Sequence, residues 1–596
     1  MSSYGPAPIE QTPGSYGGAG NVALRYSLLT FNAKNDDHTC TALMSSPAKR
    51  LRIGVDFDNT IACYDTAFPV VARELEFYAS LNDVPKEQIK NLVLAGSGGE
   101  LDWQKLQGQV YGRYIHLATV FPGFIEFLCH SKLNGHSVFI VSHKSEYGHF
   151  DRTTVSLRDA ALGWMTDNGI LGSDDLQLQK ANVFFEHTRE AKINRICSLG
   201  CTHFIDDLAV VLRDPMFPDS LERILFAPDC WKKFHEELKV APSWRMINYD
   251  LFDNWTGEEV CLIAQKRFPG LHVCRAAPRR GRGNSKIFEL ASQDGKKYAL
   301  KIYPDRQLDP RPRLETEFRA TQFLEAAHLP VAYAVAKDER LNWAVYKWTE
   351  GKSQITVDKQ FVEKAISFVV QLLATSRQAI DRSSFSAASE AGLSGTEITN
   401  QIQHKLTRLS LLASPEINLF LNHDLLPVLR AQEAAARRHL LDAFDTKLLP
   451  EQQILSPSDF GAHNSIEVSD GRYIFIDFEY FGWDDPVKLV SDFFWHPAMN
   501  LTNELRSHWI TGTKSLFIDD LSFSKRLDVF LPLIGIRWCL IMLNEFLPSS
   551  LARRVNADPS RFENTALTLS NQLRKSKALL QEIINLGTNG PAIQTS

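Results

Sequence analysis

The sequence predicts an α/β N-terminal half, a doubly wound parallel sheet with a helical cap, followed by an α+β C-terminal half. Three observations predict it. From Arg52 to about Pro228, short apolar runs alternate with helix-length segments, as in βαβ units on a parallel sheet. Asp294-Gly295, between two alternating runs, is a strong hairpin signal. Helical patterns dominate from Arg313 onward, broken by strand-like Trp343–Trp348 and Tyr473–Asp477.

Taken in order, residues 1–48 read as a disordered tail; the first twenty are rich in Gly, Ser, Pro and Tyr and have no hydrophobic period. Parallel strands are expected at Arg52–Asp58, Ser137–Ser142, Asn182–Glu186, His203–Asp207 and Arg223–Pro228. The interval 64–118 is too long for one crossover and is expected to hold the cap. This unit spans 50–245, and 246–269 is expected to be a linker. The second unit spans 270–588 and leaves a tail at 589–596. Basic, Gly-rich Arg275–Gly283 leads into strands at Lys286–Ser292 and Lys296–Tyr303. The apolar run Phe530–Leu543 contains Arg537 and is shorter than the roughly 20 residues a membrane span needs, so it reads as a buried helix.

Composition excludes several function classes. The net charge is -5, from 65 basic and 70 acidic side chains, so no nucleic-acid partner is expected. Nine cysteines without a C-x-x-C pair suggest a reducing, cytoplasmic compartment, and no membrane partner is expected. The 17 histidines include no H-E-x-x-H, so no zinc hydrolase is indicated. His143, His149 and His187 lie near the first unit's strands, and His463 reads as a loop-packing residue.

Two constellations carry chemistry. Asp56-Phe-Asp58-Asn-Thr60 follows the apolar run Ile53–Val55; residues i and i+2 of an extended chain point the same way. Asp206-Asp207 ends a second run and Ser142 a third, with Lys192 fourteen residues before Asp206. Strand ends of this kind line the crevice of an open α/β sheet. Carboxylates converging there need a cation, and Mg²⁺ suits an oxygen-only site. Ser142 and Lys192 are placed to hold a phosphate.

In the second half, Asp459 and Asn464 stand five apart, and Asp477 follows thirteen residues later within Ile476-Asp-Phe-Glu479. A kinase needs a base and two oxygen ligands for Mg²⁺ on ATP at this spacing. Tyr298-Ala-Leu-Lys301 resembles the strand whose lysine contacts phosphates. Glu315 or Glu317 is expected to pair with it, with Glu317 preferred from its place before an apolar run. Gly281-x-Gly283 is a candidate phosphate-covering loop.

The order D-x-D-x-T, Ser, Lys, Asp-Asp resembles the haloacid dehalogenase-like superfamily over about residues 50–245. The resemblance implies that Asp56 is a nucleophile forming an aspartyl-phosphate and that Asp58 is the general acid/base. It implies that Thr60, Ser142 and Lys192 bind the phosphoryl group, while Asp56, Asp58 (through its carbonyl), Asp206 and Asp207 hold Mg²⁺. Residues 270–585 resemble the aminoglycoside phosphotransferase and choline kinase-like family, on Ile476–Tyr480, Gly482–Pro486, Asp492-Phe493, Arg537-Trp538 and Asn544–Phe546. That resemblance implies a protein kinase-like fold, Asp459 as base, Asn464 and Asp477 as Mg²⁺ ligands, and Lys301 with Glu317 at the ATP phosphates. The family often has a histidine two residues before the catalytic aspartate, where this chain has Pro457.

The two together imply a bifunctional enzyme, a phosphatase acting on a small-molecule phosphate ester and a kinase acting on a small-molecule hydroxyl. The alternative is a single activity in which one domain, rather the kinase-like one, serves as a ligand-binding or scaffold module.

Overall fold

A computed structural model describes residues 50–75, 86–148, 155–228, 238–279, 285–547 and 565–588, apart from 305, 307–308, 354, 379–380 and 413. The expected N-terminal and C-terminal tails, His149 and the Gly281-x-Gly283 loop lie outside the described residues.

The first half starts with β1 (Arg52–Val55), buried along Ile53-Gly-Val55, then the short β2 (Ala62–Cys63). Among the described residues, the interval expected to be a cap holds α1 (Ala67–Glu74), α2 (Lys86–Ala95) and α3 (Gly99–Tyr111). Trp103 of α3 is buried there, stacked on Phe68 with ring centroids 5.2 Å apart. The short β3 (Thr119–Val120) pairs back antiparallel with β2, closing the excursion. There follow α4 (Phe124–Leu133), β4 (Ser137–His143), α5 (Leu157–Asp167), β5 (Val183–Glu186), α6 (Arg189–Ser198) and β6 (His203–Asp206). After them come α7 (Ala209–Leu212), β7 (Glu222–Phe226) and β8 (Lys239–Ala241).

Among the described residues, six strands form one parallel sheet in the order β5-β4-β1-β6-β7-β8. The order reverses at β1, so β1, β4 and β6 open a crevice beyond their carboxyl ends. The register sets Val55 opposite both Ile140 and Ile205. That brings Asp56, Ser142 and Asp206 to the same end of the sheet.

The stretch 246–269, expected to be a linker, is ordered helix for most of its length. α8 (Trp244–Phe252) is capped by Ser243, and α9 (Gly257–Arg267) starts with a reciprocal capping box between Thr256 and Glu259, a device that satisfies two orphan amides. Polar residues between two units read as linker in the sequence, but their apolar face is spent on both neighbours. Trp255 is buried; it stacks on His130 of α4 at 4.1 Å, donates to Glu126 Oε1 at 2.7 Å, and meets Trp343 of the second half edge-on at 5.8 Å. One continuous core runs from Ile53 through Trp255 and Val260 to Val345. Trp255→Ala is therefore expected to destabilise the whole chain by about 3–5 kcal/mol, the usual range for a buried tryptophan. Urea unfolding of the full-length protein checks this; a loss confined to one half would argue against a shared core.

The second half opens with β9 (Val273–Arg279), β10 (Lys286–Ser292) and β11 (Lys297–Ile302), with Gly295 at φ +81° in the hairpin turn, a conformation glycine adopts without strain. After α10 (Arg313–Ala326), β12 (Ala334–Asp338) and β13 (Trp343–Lys347) complete an antiparallel sheet in the order β12-β13-β11-β10-β9. The stretch Arg275–Gly283 thus contributes an edge strand as far as Arg279. The rest of the described chain is mainly helical: α11 (Lys359–Gln378), α12 (Gly395–Ser410), α13 (Pro415–Leu419), α14 (Leu426–Leu440), α15 (Pro486–Trp495), α16 (Asn503–Leu516), α17 (Phe523–Met542) and α18 (Thr565–Thr588). Two small pairs interrupt it, β14 (Ile454–Ser456) with β17 (Gly482–Asp484), and β15 (Ser465–Glu467) with β16 (Tyr473–Phe475). The apolar run is α17, and Arg537 within it is buried against Asp492 at 3.3 Å. Lys488 bridges Asp484 (3.2 Å) and Asp492 (2.7 Å), so this ion network ties α15 to α17.

Candidate functional sites

In the first half, local chemistry places each group. Asp56 leaves β1 with its amide bonded to Ile205 O at 2.9 Å. Asn59 takes a left-handed conformation, φ +56°, which asparagine tolerates, and the chain turns back so that Thr60 is buried. Thr188 caps α6 by accepting from Ala191 N at 3.1 Å, which fixes Lys192 in the following turn. Lys192 Nζ then bridges Asp56 Oδ1 at 2.6 Å and Asp206 Oδ2 at 2.7 Å. All three are buried. Burial lowers the Lys192 pKa, and the two carboxylates more than offset this, raising it above its usual value.

Asp56, Asp206 and Asp207 place carboxylate oxygens within 4.8 Å of one another. Burial first, then the charges of Asp56 and Asp206, push Asp207 up to about 8; burial, offset in part by Lys192, pushes Asp56 up to about 6. Three carboxylates facing one ammonium fit a hard divalent cation. Thr60 Oγ1 reaches Asp207 Oδ1 only at 3.5 Å, and Ser142 is buried at the end of β4.

The raised carboxyls give a pH prediction. Asp207 carries its extra proton only in the folded state between its ordinary value of 3.8 and about 8. Without Mg²⁺, folding stability is expected to fall as pH rises through that window. Millimolar Mg²⁺ should flatten the slope, and at pH 7 its binding should release about one proton. Melting temperatures across the window, and calorimetry in buffers of different ionisation enthalpy, check both parts; a pH-independent stability without metal would contradict the cluster.

Lys144 and Tyr64 are among the described residues at this site that sequence reading passed over. Lys144 Nζ lies 2.9 Å from both oxygens of Asp58, and Tyr64 Oη donates to Asp58 Oδ1 at 2.6 Å. Lys144 is two residues beyond Ser142, so period-2 alternation would have put it on the same face. Tyr64 carried no such signal. His143 Nε2 lies 2.9 Å from His187 O, and Arg158 donates to His187 Nδ1 at 3.2 Å.

In the second half, Lys301 of β11 is buried beneath α10. Its Nζ pairs with Glu317 Oε2 at 2.6 Å, Asp477 Oδ1 at 2.6 Å and Glu479 Oε2 at 3.4 Å. Glu315 pairs instead with Arg306. Tyr303 Oη donates to Glu317 Oε2 at 2.8 Å and meets Tyr346 Oη at 2.7 Å. Burial lowers the Lys301 pKa, but the three carboxylates outweigh it and hold it well above its usual value. Burial, partly offset by Lys301, pushes Glu317 up to about 7. Glu317, Asp477 and Glu479 bring oxygens within 4.8 Å of one another, again a set that fits a divalent cation. Glu479, which also pairs with Arg313, stands in the motif Ile476-Asp-Phe-Glu479 but received no role from the sequence. Asp477 has φ +69° and Ser458, just before Asp459, has φ +62°. Such left-handed non-glycine residues gather at sites that the surrounding structure over-determines.

Asp459 is bonded by His463 Nε2 at 2.8 Å, and Asn464 Nδ2 donates to the Asp459 carbonyl at 2.9 Å. Burial pushes the Asp459 carboxyl up, and the bond and charge of His463 more than offset it, so the group stays well below the usual carboxylate range. His463 is thus a partner of the carboxylate, beyond the packing role expected for it.

Residues 276–517, within the C-terminal half, match the model of the phosphotransferase enzyme family. No curated protein matches the chain. Similar solved structures include a spectinomycin phosphotransferase in complex with ADP and spectinomycin, 10% identical, TM-score 0.40, covering 56% of this chain and 99% of that one. A choline kinase from Cryptosporidium parvum Iowa II is 13% identical, TM-score 0.37, covering 56% of this chain and 98% of the other. Choline kinase LicA from Streptococcus pneumoniae is 15% identical, TM-score 0.36, covering 54% and 98%.

Proposed function

We propose that the chain is a bifunctional phosphoryl-transfer enzyme. Its first half would be a Mg²⁺-dependent phosphomonoester hydrolase, and its second half an ATP-dependent kinase for a small-molecule hydroxyl such as a sugar or amino alcohol. The observation that carries the first part is Lys192, which bridges Asp56 and Asp206 at the mouth of the parallel sheet. In this reading Asp56 attacks phosphorus and becomes an aspartyl-phosphate, and Asp58 protonates the leaving oxygen and then activates water. Lys144 and Tyr64 orient the Asp58 carboxylate for both steps. Thr60, Ser142 and Lys192 hold the phosphoryl oxygens. Asp56, Asp206, Asp207 and the Asp58 carbonyl would hold Mg²⁺, which offsets negative charge on the transferring phosphoryl group.

The second part is carried by the family match together with Lys301 set between Glu317 and Asp477. Lys301 grips ATP phosphates, Asn464 and Asp477 would hold Mg²⁺, and Asp459 takes the proton of the acceptor hydroxyl. Pro457 stands where a supporting histidine is common in the family, yet Asp459 keeps imidazole support from His463, which favours a working kinase over a scaffold module.

Because both halves share one core, the test uses the full-length protein. Panels of phosphate esters with Mg²⁺, and of sugars and amino alcohols with Mg²⁺ and ATP, are expected to reveal one hydrolysed ester and one phosphorylated hydroxyl. Activity in only one panel would reduce the account to the single-activity alternative.

A further inference from the structure

Residue 457, where the family often has its supporting histidine, is a proline, and the structure supports Asp459 from downstream instead. His463 Nε2 bonds Asp459 Oδ1 at 2.8 Å, and His496 Nε2 lies 3.5 Å from the same oxygen. The two rings stack in parallel, with centroids 3.8 Å apart and planes 2° apart. Trp538 closes the far side edge-on to His496 at 4.6 Å, and its own Nε1 is held by Asp492 at 2.8 Å.

The protons can be placed from the partners. His496 Nδ1 accepts from Ala498 N at 3.1 Å, so in the neutral ring the proton sits on Nε2, facing Asp459. His463 Nδ1 is buried with no hydrogen-bond partner among the described residues. A buried unsatisfied nitrogen is destabilising, and an apolar side chain would fill the space without it. The useful end of His463 is therefore Nε2, on the carboxylate. A metal is a poorer occupant of this cluster, because a protonated Nε2 offers no lone pair and parallel rings do not converge on one point.

We propose that His463 and His496 form a stacked imidazole clamp that holds Asp459 by Oδ1 and presents Oδ2 to the acceptor hydroxyl. This rests on the kinase reading of the second half. In the step served, the hydroxyl oxygen bonds the γ-phosphorus, the bond from that phosphorus to the β,γ-bridging oxygen breaks to leave ADP, and the hydroxyl proton passes to Asp459. The imidazoles exchange no proton; both are positioning residues.

The test has two arms on full-length protein. With Mg²⁺ and ATP and water as acceptor, ADP release by His463→Phe and His496→Phe is expected to fall in kcat by about tenfold or more, with KM for ATP nearly unchanged. His463→Gln and His496→Gln, whose amide nitrogen reaches the position of the imidazole Nε2 and keeps an N–H donor there, should recover much of the loss. Phenylalanine variants with wild-type kcat would overturn the clamp. Independently, ¹⁵N spectra of labelled histidine should show both Nε2 atoms protonated and both shifted by Asp459→Asn. Imidazole signals indifferent to that substitution would overturn the clamp even in a protein without turnover. Absence of MgATP binding by calorimetry would instead sink the kinase reading, so the two failures are distinguishable.

Discussion

Asp56→Asn is expected to abolish phosphate release from any ester the protein accepts, by at least about 10³-fold, or roughly 4 kcal/mol of barrier. The amide cannot attack phosphorus, and no neighbouring carboxylate can take over. In this reading Asp206 belongs to the Mg²⁺ site with Lys192 at 2.7 Å, and Asp58 exchanges protons with the leaving oxygen and water, so neither is placed to attack phosphorus. The fold should survive. Lys192 keeps its bond to Asp206, and the substitution removes one of three mutually repelling carboxylates. Phosphate release and a thermal melt on the same sample separate the two effects. A rate within tenfold of wild type would remove the aspartyl-phosphate from the account.

Lys301→Met is expected to act on both stability and chemistry. The substitution leaves Glu317 and Glu479 buried and Asp477 partly buried without their shared cation. Breaking a buried ion pair from one side typically costs about 3–5 kcal/mol. Protonation of Glu317, already pushed up to about 7 by burial, should recover part of this at low pH, so the loss of stability should grow as pH rises toward 8. ATP-dependent transfer should disappear at every pH. Lys301→Arg, which keeps the charge but not the point geometry, should restore stability more than transfer. Urea unfolding and a coupled ADP assay read the two quantities; a Met variant as stable as wild type would show that the carboxylates do not depend on Lys301.

The parallel sheet was legible because its strands are continuous apolar runs ending in chemistry-bearing residues. Ile53–Val55, Val138–Val141 and His203–Ile205 are buried on both faces, so no alternation obscured them. Strand Lys239–Ala241 was not foreseen, being three residues long with a lysine at its start. The segment 246–269 misled because amphipathic helices with one buried aromatic, Trp255, look polar in sequence, whereas their packing is long-range and joins two sheets. The same limit applies at the sites. Motif spacing brought out Asp56, Asp206, Lys301 and Asp477, all of which lie at strand ends or in short turns. Lys144, Tyr64, Glu479 and His496 reach their partners across folded elements, His496 from 37 residues beyond Asp459. Apart from Lys144, which its period-2 step from Ser142 marks, these contacts leave no trace in local spacing.

On the proposed bifunctional reading, one chain holds two separate phosphoryl-transfer sites. The most direct measurement compares wild type, Asp56→Asn and Asp459→Asn, all full length, by phosphorus NMR with Mg²⁺, ATP and the ester and hydroxyl compounds identified from the panels. Asp56→Asn is expected to lose phosphate release while still forming the new phosphate ester from ATP, and Asp459→Asn to do the reverse. Loss of both reactions in either single variant, with the fold intact by thermal melt, would contradict it.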